Sequence, residues 1–143
     1  MKNEWFRRCV RMTSIDGIDE DCLIEYCLGR PVEMIATSRA FGRLVVVEGD
    51  LFEALCKVRL ECEKHRFLLL CNGARKDTYP SRMSRQMGRG EKIYVLINGI
   101  QARKEDMIDL LEAASSGQVT TVAEQRENFD LWLTSLGSIS SAS

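Results

Sequence analysis

The chain is poor in the residues that most chemistry needs. It has one histidine, His65, among 143 residues, and only two prolines, Pro31 and Pro80. His65 follows Lys64 at the end of a long helical pattern. There an imidazole serves as a helix cap more readily than as a base, so no Ser/His/Asp or Cys/His arrangement can be argued. No apolar run approaches the length of a membrane span, and Met1 to Arg8 contains no continuous apolar core of a secretory signal. A cytoplasmic location, without membrane contact, is the expectation. Six cysteines are present but no Cys-x-x-Cys pair, so they read as reduced, mostly buried thiols. The spacing of Cys56, Cys62, His65 and Cys71 matches no common zinc pattern. The acidic run around Asp19 and Asp21 has Gly17 in the wrong register for a calcium loop. Gly88 and Gly90 lack the spacing of a phosphate-binding P-loop. No catalytic residue, metal or cofactor is therefore expected.

What is present is an ordinary globular composition, 45% hydrophobic and 29% charged, with a net charge of −1. The charge is unevenly spread. Residues 1–65 carry a net −2, residues 66–92 a net +5 and residues 93–143 a net −4. A basic centre between acidic flanks suits local steering of a partner better than general nucleic-acid binding.

The periodicities predict a single compact α/β or α+β domain over residues 1–137, with helices packed on a mixed β-sheet and a flexible Ser-rich tail over 138–143. Strands are expected over Trp5–Met12, Val32–Thr37, Arg43–Glu48, Phe67–Cys71 and Glu91–Ile97. Phe67–Cys71 is apolar without alternation and reads as a central strand covered on both faces. Helices are expected over Cys22–Leu28, Leu51–Lys64, Glu105–Ala113 and Val122–Leu136. Asp50 with Glu53, and Thr121 with Glu124, can form capping boxes. Phe129, Trp132, Leu133 and Leu136 supply the docking face of the last helix. Arg59 falls among the apolar residues of its helix, where it either pairs with Glu63 or extends along the helix to water.

The segment from Asn72 to Leu96 stands apart. Gly73 permits a turn carrying Arg75 and Asp77. Pro80 and Ser81 open a short helix that Gly88 closes, and Gly90 turns the chain into the next strand. Met83 and Met87, four apart, are expected to face inward, with Arg82, Arg85 and Arg89 outward. With Tyr79, these arginines are also the ingredients of an RNA contact.

In its motifs this segment resembles immunity proteins of bacterial polymorphic toxin systems, including contact-dependent growth inhibition. The likeness lies in Arg59-Leu60-Glu61, in the apolar strand leading into Asn72-Gly73-Ala74-Arg75, and in the string from Tyr79-Pro80-Ser81 through Met83 and Arg85-Gln86-Met87-Gly88 to Gly90. It covers about a quarter of the chain. Two positions depart from the pattern: Arg82 and Arg89 stand where glycine is expected. The resemblance implies a small protein that binds the C-terminal effector domain of a cognate toxin and blocks it without catalysis, as a monomer or weak dimer. Two surfaces compete for that contact. One is the acidic turn, Asp16, Asp19, Glu20, Asp21 and Glu25, which can mimic phosphates in a basic nuclease cleft. The other is the basic face of Arg75, Arg82, Arg85 and Arg89. A motif shared across different toxins builds scaffold, so the acidic turn is the favoured contact. The alternative function is a small RNA- or nucleotide-binding accessory domain using the basic 75–92 segment.

Overall fold

Strand alternation and tight turns organise the first third of the chain. The computed structural model describes residues 4–141. Four strands follow one another as antiparallel hairpins: β1 (Trp5–Ser14), β2 (Asp19–Cys27), β3 (Val32–Ser38) and β4 (Gly42–Glu48). A short β5 (Phe67–Leu69) returns to pair with the end of β1, giving the order β4-β3-β2-β1-β5. Side chains alternate across a strand. Val10, Met12, Cys22, Ile24, Val32, Met34, Ala36 and Val46 are buried on one face, while Arg7, Arg11, Asp21, Glu33 and Val45 are exposed on the other.

Helix α1 (Leu51–Lys64) packs on the buried face against β3, β4 and β5. Asp50 caps it, its Oδ1 accepting the Glu53 amide at 2.8 Å. Leu51, Leu55, Val58 and Cys62, widened by Phe52 and Cys56, form the buried stripe that the spacing predicts. Full burial of Phe52 or Leu55 stabilises by about 1.5–3 kcal/mol each. His65 is the C-cap, as expected, its amide donating to the Cys62 carbonyl at 3.0 Å. A second, three-stranded antiparallel sheet holds β6 (Thr78–Tyr79), β7 (Lys92–Val95) and β8 (Met107–Asp109) in that order. Helix α2 (Arg82–Met87) bridges β6 and β7, and α3 (Val122–Ser141) packs against β6 and α1. The result is an α+β domain with three helices on its sheets. No described helix is long and apolar enough to cross a membrane.

Three expected elements differ. The segment Cys22–Leu28 lies in β2 and not in a helix. Ladders on both sides take its backbone groups, and Cys22 and Ile24 alternate into the core. The expected helix over Glu105–Ala113 is one 3-10 turn (Lys104–Asp106) followed by β8. Its backbone is claimed by tertiary partners: the Leu110 amide donates to Glu91 O (2.9 Å), and the Leu110 carbonyl accepts from Gly73 (2.8 Å). The apolar run Phe67–Cys71 is not a central strand. Its first three residues form the sheet edge, and Leu70 and Cys71 then turn to pair with Ala114 and Ala113. Helix α3 continues through Ser141 into the expected tail, and residues 142–143 lie outside the described residues.

Five of the six thiols are buried, and only Cys9 is exposed. Burial pushes the Cys22 thiol up to about 12. It pushes Cys56 and Cys71 up to about 11, against the opposing pull of the Arg59 guanidinium. At about pH 8 the native protein is therefore expected to give one fast-reacting thiol with Ellman's reagent, and the other five only on unfolding. A second fast thiol would contradict this packing. In the unfolded chain the same thiols ionise near their ordinary value of 9.0. Stability is thus expected to fall as pH rises above about 9, in thermal melts followed by circular dichroism.

Candidate partner-binding surface

Arg59 is 2% exposed and has no carboxylate partner among the described residues. Neither Glu63 nor water receives it. Its Nη1 donates to the Gly73 carbonyl (3.1 Å) and to Gln125 Oε1 (2.5 Å), and its Nη2 to the Thr120 carbonyl (3.0 Å). Glu63 turns instead to the start of α3, accepting the Val122 amide at 2.9 Å. Gln125, 1% exposed, spends its amide nitrogen on the carbonyls of Gly73 (2.9 Å), Arg75 (2.9 Å) and Thr78 (3.1 Å). The Thr78 hydroxyl donates to Asn72 O at 2.8 Å, and Asn72 Nδ2 donates to Asp109 O at 3.0 Å. One polar network thus ties the 72–78 turn to α1, α3 and β8. Gly73 sits so deep that a Cβ there would lie 2.5 Å from Leu55 Cδ2 and 2.7 Å from Leu110 Cδ1.

The turn delivers the chain to α2. Ser81 is the N-cap, and the Ser81 and Ser84 side chains exchange hydrogen bonds with each other's amides at 3.0 Å. Pro80 is buried just before the cap. The orientation of α2 reverses the expectation. Met83 and Met87 are 71% and 81% exposed, and Arg85 is the residue turned inward. The Arg85 guanidinium lies over the rings of Phe52 (5.1 Å) and Tyr79 (5.7 Å) and faces Asp50 (3.6 Å) and Glu53 (3.4 Å) at the start of α1. Cation–π contact and two carboxylates outweigh the burial of two flexible methionines. Tyr79 is held between Phe129 (4.1 Å, stacked) and Phe52 (5.0 Å, edge-on), and the Trp132 indole N–H beyond donates to Ile97 and Ile100 carbonyls. Of the other residues expected on that docking face, Leu133 is exposed.

After α2, Gly90 (φ +78) brings the chain so close to α1 that a Cβ would lie 2.8 Å from the Phe52 nitrogen. Arg89, at φ +56, adopts the left-handed conformation at a cost of about 1–2 kcal/mol for a residue with a Cβ. Its Nη1 donates to the Gly29 carbonyl at 2.8 Å. That contact brings α2 and the β2–β3 connection together around an open cleft of ≈ 580 Å³, which Arg30 also lines.

The two charged surfaces are less free than their sequence suggests. Arg75 forms a two-point pair with Asp77 (2.9 and 2.8 Å), while Arg82 is exposed and has no ion pair among the described residues. On the acidic side, Asp16 stands at the exposed tip of the β1–β2 turn. Asp19 and Asp21 face Arg11 (3.5 and 3.9 Å), and Glu25 faces Arg7 (3.6 Å). Strand alternation sends Glu20 to the opposite side. The acidic run is therefore a tip and a partly neutralised strand face, on which two arginines meet three carboxylates, not one plug.

Among the described residues, no group of three or more His, Cys, Asp or Glu side chains is placed to hold a metal ion. Sequence reasoning missed Gln125 and Arg30. Gln125 had a signal: it sits three residues after Val122 and four before Phe129, on the apolar face of α3, as Arg59 does on α1. Arg30 had none, because its neighbours Arg85 and Arg89 arrive from elsewhere in the chain. No protein-family model matches the chain, and no curated protein matches it.

Arg59→Met is expected to cost about 3–5 kcal/mol in urea unfolding, since it strands buried acceptors. Gln125→Leu should be strongly destabilising too, and the pair should be less than additive by about 1–3 kcal/mol. Additive effects would mean that the two side chains do not act as one unit.

Proposed function

We propose that this protein is a cytoplasmic immunity protein that binds the effector domain of a cognate bacterial toxin and neutralises it by occlusion. One observation carries the reading. Two large apolar side chains, Met83 and Met87, stand 71% and 81% exposed on a helix capped at its start and anchored from beneath by Arg85. Exposed methionines on a fixed element make an adaptable contact for another protein surface. The helix belongs to the segment that resembles immunity proteins, and the network through Arg59 and Gln125 holds that segment to the rest of the domain.

The RNA-binding alternative is weakened by Tyr79. Its ring is stacked on Phe129, the Arg85 guanidinium lies over it and Phe52 packs edge-on beside it, which leaves no free face for a base. The acidic turn is weakened by the arginines that already meet it. We therefore place the contact on α2.

The test is co-expression with the C-terminal effector domain of the toxin that the proposal places beside this gene; a gene neighbourhood without such a toxin would count against the reading. Growth should be rescued by the wild-type chain. Met83→Asp/Met87→Asp should lose rescue and weaken binding by about 100-fold, as two interface anchors would, with an unchanged melting temperature. Rescue that survives both substitutions would remove α2 from the interface. Failure of the wild-type chain to rescue would remove the function itself.

A further inference from the structure

We infer that the cleft between the β2–β3 connection and α2 is a carboxylate-binding site that takes an acidic segment of a partner protein. For the partner's identity this rests on the proposed function; for its chemistry it does not. The cleft, ≈ 580 Å³, is lined by Arg30, Arg85, Gln86 and Arg89, with Pro31 and Asp50 at its wall. Three guanidinium groups therefore face one carboxylate. That carboxylate is already engaged: Asp50 Oδ1 accepts the Glu53 amide, and Oδ2 faces Arg85 at 3.6 Å. Arg85 also faces Glu53, so its charge is met within the protein.

Arg30 and Arg89 are different. Neither has a carboxylate within ion-pair distance among the described residues. Arg89 is oriented by a single bond from Nη1 to the Gly29 carbonyl, a neutral acceptor that leaves its charge uncompensated. It also holds a left-handed backbone between two glycines, where a third glycine would be unstrained. The fold thus fixes one guanidinium that has no carboxylate partner among the described residues, at the Gly29 carbonyl, and exposed Arg30, the next residue along, lines the same cleft. Arginine pairs presented this way match the two oxygens of a carboxylate.

Phosphate shares that oxyanion chemistry, and a nucleic acid would bring it. The surroundings favour protein. Tyr79 has no free face for a base, and the same helix that lines the cleft with Gln86 presents Met83 and Met87 for apolar side chains. The fitting occupant is a segment in which Asp or Glu alternates with large apolar residues.

The full chain should be titrated, by fluorescence anisotropy at low salt, into three labelled probes: a short peptide of alternating Glu and Leu, the same peptide with Gln for Glu, and a short oligouridine. The Glu peptide should bind at least about tenfold tighter than the other two. Arg30→Glu should weaken it by about tenfold or more, without lowering the melting temperature, because Arg30 is exposed and bonded to nothing described. Arg43→Glu, exposed on edge strand β4, should leave binding unchanged. Equal binding of the Gln peptide, preference for oligouridine, no binding of any probe, or wild-type affinity in Arg30→Glu would each overturn the site. Toxin rescue is scored separately. Rescue with no peptide preference would retain the proposed function and discard the cleft; peptide binding without rescue would do the reverse.

Discussion

A buried cation that no carboxylate among the described residues meets governs the architecture. Arg59 is withdrawn from water, and its guanidinium is served by two main-chain carbonyls and the Gln125 side-chain oxygen, with no carboxylate beside it among the described residues. A guanidinium can only donate, so the Gln125 oxygen must point toward it, and the amide nitrogen must point the other way, into the carbonyls of the 72–78 turn. The observed path of the turn satisfies both the buried charge and the buried amide, and a path that withdrew these carbonyls would strand them. That path carries the chain under Leu55 and Leu110 at Gly73, where a Cβ would force both leucine side chains to shift, and delivers Pro80 and Ser81 to the start of α2.

The same logic orients α2. A six-residue helix has little stability of its own. Here it is held at its start by the Ser81–Ser84 exchange and from below by Arg85, which lies on aromatic rings and beside the acidic start of α1. Arg85 is drawn in, so the methionines are turned out. A charged residue inside and apolar residues outside invert the usual arrangement, and the inversion makes the surface on which the functional reading stands.

Charge is redistributed by folding more than composition suggests. The acidic and basic clusters of the sequence are largely consumed by partners within the chain: Arg11 meets Asp19 and Asp21, Arg7 meets Glu25, and Asp77 meets Arg75. Such exposed pairs add little stability but cancel local fields. Among the arginines of the basic 75–89 run, Arg82 and Arg89 meet no carboxylate among the described residues, and Arg89 shares a concavity with Arg30.

Local signals determined much of the fold. The stripe and cap of α1, the hairpin from Val32 to Glu48, the capped start of α3 at Thr121 and the turn glycines of the 72–90 segment were legible, because their causes lie within a few residues of each other. Tertiary contacts decided the rest. Cys22–Leu28 became strand because two neighbours needed its backbone, and Glu105–Ala113 gave up its helix to Glu91 and Gly73. The partner of Arg59 lies 66 residues away on α3, and the companions of Arg30 arrive more than fifty residues later. A pattern along the chain reports which face a residue occupies; only the packed fold reports what stands across from it.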